Sequence, residues 1–177
     1  MELRKMPLDE IVEGCRKGES SAQHRLYELY ARQMTAICLR YTNDFETARD
    51  LMHDGFIKVF TQIDKFEGKG SFEGWMKRIF LNLSLDYLRR DVALVEIEEV
   101  DYMLEDTSPD VFSKFEAERI YEAIKQLPSG CRTVFNMFNI DGYSIKEISE
   151  KLGMSSVAVR SQNHRAKERL KELLLKD

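Results

Sequence analysis

The chain has 177 residues, 27 Lys/Arg against 31 Asp/Glu and a net charge of −4. That length allows one ordinary domain or two small ones, and no apolar run approaches the roughly 18 residues of a membrane span. The charged start MELRKMPLDEIVEGCRKGES lacks the apolar stretch of a signal peptide, so the expectation is a protein of the cytoplasm, not of the membrane.

The charge is unevenly placed. Residues 1–90 hold 15 Lys/Arg and 14 Asp/Glu, residues 91–118 hold 1 and 10, and residues 119–177 hold 11 and 7. The acidity therefore sits in one segment between a neutral block and a basic block. Three dispersed cysteines (Cys15, Cys38, Cys131) and three dispersed histidines (His24, His53, His164) have neither disulfide-framework nor zinc-ligand spacing. No metal or cofactor is expected.

The first block has helical periodicity throughout. A helix is predicted from about Leu8 to Arg16 and another from Ser20 to about Arg40. A third follows the small polar residues Thr42-Asn43-Asp44 and ends near Ile63. A glycine-rich turn, Phe66-Glu67-Gly68-Lys69-Gly70, precedes a fourth helix, capped by Ser71 and ending near Arg89-Arg90. On the third helix Asp50, His53 and Asp54 share a face beside the apolar set Ala48, Leu51, Met52, Val59 and Ile63. On the fourth, Trp75, Arg78, Asn82, Asp86 and Arg89 fall at i, i+3, i+7, i+11 and i+14 and form one stripe. Met76, Ile79, Phe80, Leu83 and Tyr87 form the neighbouring apolar face. Arg78 and Arg89 suit phosphates, Asn82 a base edge, and Trp75 with Phe72 the stacking of unpaired bases. From these residues alone, Trp75 in the core and the arginines in solvent is the favoured reading, since a lone Trp more often packs than acts.

From Asp91 to Asp110 the chain reads as an extended acidic linker, with a weak strand signal in VALVEIEEV and the breaker-rich Asp106-Thr107-Ser108-Pro109-Asp110 at its end. The final block begins with a helix stopped after Leu127 by Pro128-Ser129-Gly130. A helix from about Cys131 to Ile140 and a turn at Asp141-Gly142 come next. Ser144 and Glu147 have capping-box spacing and start a short helix that ends at Gly153. Ser155 or Ser156 caps a last helix reaching about Leu174. The short helix, turn and longer helix make a helix-turn-helix pattern. Ile145, Ile148 and Leu152, then Val159, Ala166, Leu170 and Leu173, form the buried sides. Val157, Arg160, Ser161, His164 and Arg165 face outward, with chemistry suited to base edges and phosphates. The all-α chain is thus expected to hold two small helical domains, 1–90 and 113–177, joined by a flexible acidic linker over 91–112. No nucleophile or phosphate-cradling loop accompanies the two carboxylates of the third helix, so an enzyme is not expected.

Three stretches together resemble bacterial RNA polymerase sigma factors of the extracytoplasmic-function group of the sigma-70 family. ARDLMHDGFIKVF is similar to the core-binding helix of region 2. KFEGKGSFEGWMKRIFLNLSLDYLRR is similar to the part that melts and reads the minus-10 element. IKQLPSGCRTVFNMFNIDGYSIKEISEKLGMSSVAVRSQNHRAKERL is similar to region 4, which binds the minus-35 element.

The resemblance implies an alternative sigma factor that binds core RNA polymerase and directs it to promoter DNA. Docking on core polymerase would use Asp50, His53 and Asp54. Capture of a flipped base at the minus-10 element would use Phe66, Ser71, Phe72, Trp75, Arg78, Asn82, Arg89 and Arg90. Entry into the major groove at the minus-35 element would use Ser156, Val157, Arg160, Ser161, His164 and Arg165. It also implies an anti-sigma factor as partner, often membrane-anchored. The chain departs from the family's usual residues at His53 (usually an amide), Ala158 (commonly Thr), Gln162 (commonly basic) and Asn163 (usually a buried aliphatic). The alternative reading is a helix-turn-helix regulator that binds duplex DNA without joining polymerase. The Trp75–Arg89 stripe argues against it, because such a regulator has no use for a base-stacking face in a separate domain.

Overall fold

The computed structural model describes residues 7–42, 44–91 and 117–175, and these are helical with short connections. They divide into two compact units, Met1–Leu88 and Arg89–Asp177. Asp91, where the linker is expected to begin, is still the last residue of a helix, and the rest of the expected linker, with its weak strand signal, falls within 92–116 and lies outside the described residues.

In the first unit α1 (Leu8–Arg16), α2 (Ser20–Thr42), α3 (Phe45–Gln62) and α4 (Phe72–Asp91) form, with a short 3-10 helix (Ile63–Lys65) after α3. Their starts follow local chemistry. Asp44 caps α3, its Oδ2 accepting from the Thr47 amide at 2.8 Å. Ser71 does the same for α4, its Oγ accepting from the Gly74 amide at 3.0 Å. Each cap satisfies a backbone donor that the helix cannot.

Each helix then buries one stripe. Ile11, Val12 and Cys15 of α1 meet Ala22, Leu26, Met34, Ile37 and Cys38 of α2. Ala48, Leu51, Met52, Phe56 and Val59 of α3, and Phe72, Met76 and Phe80 of α4, complete the same core. Of the predicted apolar face of α4, Met76 and Phe80 are buried, while Ile79, Leu83 and Tyr87 are half-buried against the core. The helix also buries Leu81, Ser84, Leu85 and Leu88, so its buried sector is wider than the periodicity indicated.

Gly55, in the middle of α3, costs about 1 kcal/mol of helix propensity relative to Ala. Its surroundings give the reason. A Cβ placed on Gly55 would lie 2.2 Å from Phe80 Cε1 and 2.5 Å from Phe80 Cδ1. Phe80 is fully buried and packs edge-on against Phe56 at 5.3 Å between centroids, so its ring has nowhere to retreat. The bare backbone of Gly55 is the space that the ring of α4 occupies.

The second unit contains α5 (Ala117–Lys125), α6 (Ser129–Phe135), a π-helical turn (Asn136–Ile140), α7 (Ile145–Leu152) and α8 (Ser156–Leu175). The single helix expected over Cys131–Ile140 thus starts two residues earlier and widens at Asn136, where the Asp141 amide reaches back to the Asn136 carbonyl at 2.9 Å. The Ser144–Glu147 capping box forms in both directions, and Gly153 ends α7 with φ 66°. Ser155, not Ser156, caps α8, its Oγ accepting from the Ala158 amide at 3.1 Å. The core joins Ala123, Ile124, Leu127, Cys131, Phe135, Ala166, Leu170 and Leu174. Buried Arg132 serves the end of α5. Its Nη1 donates to the carbonyls of Lys125 at 3.2 Å and Leu127 at 3.3 Å, placing a cation on carbonyls that have no helical partner. Burial lowers the guanidinium pKa from its ordinary value.

The three thiols are free and buried. Burial pushes Cys15 and Cys38 up to about 11 and raises Cys131 as well. Among the described residues no group of three or more His, Cys, Asp or Glu is arranged to hold a metal ion.

Three outcomes are expected. Gly55→Ala should lower stability to urea by about 1–3 kcal/mol, because overpacking against Phe80 outweighs the propensity gain; a gain in stability would contradict the contact. The thiols should alkylate slowly in the folded protein at pH 8 and rapidly in urea. The fold favours the neutral thiol, so the contribution of Cys15 and Cys38 is complete below the ordinary value of 9.0 and is lost as pH rises through about 11. Urea midpoints measured between those values should fall accordingly.

Candidate nucleic-acid interface

The first surface is the loop before α4 with the outer side of that helix. Phe66, Phe72 and Trp75 form a mutual cluster. Ring centroids are 5.3 Å apart for Phe66–Phe72, 5.8 Å for Phe66–Trp75 and 5.5 Å for Phe72–Trp75. Phe66 and Trp75 are half-buried, but Phe72 is only 5% exposed. The expectation that Phe72 stacks on a base is therefore corrected. Its ring supports Phe66 and Trp75 from beneath, because position 72 faces the core alongside Met76 and Phe80.

Beyond the cluster, Arg78, Asn82, Asp86 and Arg89 are all exposed along one side of α4. That stripe presents two cations, one amide and one carboxylate; the arginines suit phosphates and Asn82 a base edge. Helix α4 continues through Arg90, whose side chain lies outside the described residues.

The loop leading into α4 is built for an unusual path. Gly68 and Gly70 have φ 77° and 86°, and a Cβ on either would meet nothing within 4 Å. Conformation, not space, is what requires glycine there. Sequence reasoning missed two contacts that tie this loop down. Arg16, at the end of α1, donates from Nη2 to the Phe66 carbonyl at 2.6 Å. Gln33 of α2 donates from Nε2 to Glu73 Oε1 at 2.9 Å. Hydrogen bonds from Lys77 and Gln33 hold the Glu73 carboxyl below its ordinary pKa. These pairs are 50 and 40 residues apart, and periodicity along a chain carries no record of such contacts.

Asp50, His53 and Asp54 lie exposed together on α3. Tyr27 of α2 joins them: its hydroxyl is 3.4 Å from His53 Nε2, and the two rings stack with centroids 6.4 Å apart. The patch thus spans two helices, with exposed Ile57 on the following turn of α3.

The second surface is α8. Val159, Ala166 and Leu170 are buried and Leu173 is half-buried, while Val157 and Arg160 are exposed and Ser161, His164 and Arg165 are half-exposed. Ser156 is exposed at the first position of the helix. Two amides set this orientation. Gln162 is 3% exposed and its Oε1 accepts from Cys131 Sγ at 2.8 Å. Asn163 is 8% exposed and its Oδ1 accepts from Asn139 Nδ2 at 2.7 Å. Both therefore belong to the packing of α8 against α6 and the π-helical turn. Arg165 sits at the flank, close enough that its charge pulls against the burial-raised pKa of Cys131.

Comparisons with known proteins place the chain in a family. The family model for Sigma-70 region 2 matches residues 26–93, and that for Sigma-70, region 4 matches residues 117–170. The ECF RNA polymerase sigma factor SigE of Mycolicibacterium smegmatis is 32% identical over 158 residues, covering 85% of this chain and 61% of that protein, so the chain spans under two thirds of that relative's length. The RNA polymerase sigma-H factor of Pseudomonas aeruginosa is 28% identical, with 93% of this chain and 92% of that one covered. The ECF RNA polymerase sigma factor SigW of Bacillus subtilis is 26% identical, with 96% and 97% covered. Among solved structures, the sigma factor RpoE of Bartonella quintana, determined with the anti-sigma factor NepR, matches with TM-score 0.52 at 21% identity, covering 87% of this chain and 97% of that one. CnrH, determined with the cytosolic domain of CnrY, matches with TM-score 0.52 at 23% identity, covering 94% and 96%. These two structures share the fold.

Proposed function

The chain belongs to the sigma-70 family, in its extracytoplasmic-function group, and on that premise we propose that it is an alternative sigma factor that binds core RNA polymerase, brings it to particular promoters and opens the DNA there. The observation that carries this reading is the pairing of two different DNA-reading surfaces on one chain. One is a recognition helix with an outward polar and basic side. The other is an aromatic-backed loop beside a stripe of Arg78, Asn82 and Arg89. A regulator of duplex DNA needs only the first.

The domain containing α1–α4, residues 1–90, would serve core binding and the minus-10 element. The domain of residues 113–177 would serve the minus-35 element, with 91–112 as the acidic linker between them. Asp50, His53 and Asp54, with Tyr27, would form the docking patch on core polymerase. Phe66 and Trp75 would bracket a base flipped from the non-template strand, Asn82 would read its edge, and Ser71, Arg78, Arg89 and Arg90 would hold the backbone. Flipping costs a few kcal/mol of unstacking, and rings already clustered and partly open suit its repayment. On the upstream element, α8 would enter the major groove with Arg160, Ser161 and His164 toward base edges, and Ser156, Val157 and Arg165 alongside. The chain would act in the cytoplasm, without a reaction of its own; bond formation belongs to the polymerase. No described helix is long and apolar enough to cross a membrane. An anti-sigma factor is the expected inhibitory partner, supported by the two solved structures with the same fold, one of them determined with an anti-sigma factor.

Reconstitution tests the reading. Mixed with core polymerase and a pool of promoter-like DNAs randomised over both elements, the protein should enrich specific upstream and downstream sequences. Failure to bind core or to enrich any sequence would overturn it. Asn82→Ala should flatten enrichment at a minus-10 position while leaving core binding intact; loss of core binding would instead make Asn82 structural. Arg160→Ala should weaken binding to the enriched minus-35 duplex by about 1–3 kcal/mol if it reads a base. Unchanged affinity would remove it from the interface.

A further inference from the structure

Residues Glu67 to Ser71 are all exposed, and two of the five are glycines at positive φ with nothing packed where a side chain would be. Such a segment has little stiffness of its own. A loop that must hold a single base has to be ordered beforehand, since ordering it on binding would subtract from affinity and from discrimination. Within it Lys69 Nζ meets Glu67 Oε2 at 2.6 Å, but a pair this exposed adds little order, so the stiffness must come from the ends. At the far end, the Ser71 cap and the Gln33–Glu73 contact secure the start of α4. At the near end stands Arg16.

Arg16 is the last residue of α1, fifty positions before the carbonyl it holds. Its guanidinium faces two ways. Nη2 donates to the Phe66 carbonyl at 2.6 Å, and Nη1 lies 3.6 Å from Glu13 Oε2. A planar fork can address two oxygens at once in a set geometry, which a lysine ammonium cannot reproduce. The carbonyl it grips belongs to the residue whose ring rests on Phe72 and Trp75. The Phe66 amide is also engaged, donating to the Ile63 carbonyl at 3.1 Å. Phe66 is thus held through its amide, its carbonyl and its ring.

We infer that Arg16 is a positioning residue for the base-reading loop: from α1, it fixes the Phe66 carbonyl and ring so that residues 67–71 leave the core along one path. The inference rests on the proposed role of that loop in reading a minus-10 base. Arg16 itself is assigned no contact with DNA.

The test uses the full chain with core polymerase and the DNA pool randomised over the minus-10 element. For each position the enrichment of the best base over the worst is measured. Arg16→Ala should reduce that ratio about three- to tenfold at the position read by the loop, the size expected from losing one hydrogen bond's net contribution to discrimination. Core affinity and binding to the minus-35 duplex should not move. Arg16→Lys, which keeps a charge and a donor, should restore part of the ratio. The chain has a single tryptophan, Trp75, whose ring lies 5.8 Å from Phe66. Its emission should shift in Arg16→Ala and return toward the native spectrum in Arg16→Lys.

An unchanged ratio in Arg16→Ala would overturn the inference. So would a ratio that falls only in step with core affinity, in either variant, since that is general destabilisation. If the native protein enriches no minus-10 base while still binding core, the loop's reading role fails first and the inference goes with it. A flattened ratio in Arg16→Ala against a normal native profile leaves that role standing and supports the clamp.

Discussion

Helix α4 is pinned where the ring of Phe80 lies against the backbone of Gly55, in space that any side chain at position 55 would fill. A helix that packs on one neighbour can rotate about its axis with little change in buried area, because many apolar side chains satisfy a core equally well. Here the Phe80–Gly55 contact, together with the Gln33–Glu73 hydrogen bond to α2, restricts that freedom. With Phe80 against Gly55, Met76 and Phe72 turn inward, and Arg78, Asn82 and Arg89 turn outward. The α3–α4 approach therefore decides which residues of α4 meet solvent. The loop before α4 inherits its direction from the same contact, since Phe72 is both core residue and floor of the aromatic cluster.

The second unit solves the same problem with polar contacts. Cys131 to Gln162 and Asn139 to Asn163 tie α8 to α6 and its π-helical extension. Apolar packing of Ala166, Leu170 and Leu174 tolerates small rotations, whereas hydrogen bonds at 2.8 and 2.7 Å do not. A buried amide without a partner would be costly, so these two pairs disfavour alternative settings of α8. Arg132 closes the other open account in this unit by capping the carbonyls at the end of α5.

The two surfaces differ in how they are held. The outward side of α8 belongs to a continuous helix whose inner side is packed along its length. The loop at residues 67–71 has no inner side and depends on contacts at its ends. That difference fits the tasks proposed for them. A duplex presents its groove ready-made and asks for a rigid rod, while an unpaired base must be received into a shaped place.

Much of this was legible in the residues themselves. Helix positions followed from apolar periodicity, and Asp44, Ser71, Ser144, Gly153 and Ser155 marked their ends, because capping is a matter of atoms within a few residues of one another. The outward side of α8 followed from the same spacing. The widening at Asn136 and the wider buried sector of α4 did not, since both answer to neighbouring helices. The partners of Gly55, Gln162, Asn163 and Arg16 were likewise out of reach. So was the burial of Phe72, which composition alone made look like a stacking ring. Short-range spacing was enough for the helices, their caps and the outward side of α8, because those depend on atoms a few residues apart. Only the tertiary structure decided which aromatic rings stay open, how α4 and α8 are turned and what holds the loop at residues 67–71, because each depends on side chains brought together from distant parts of the chain.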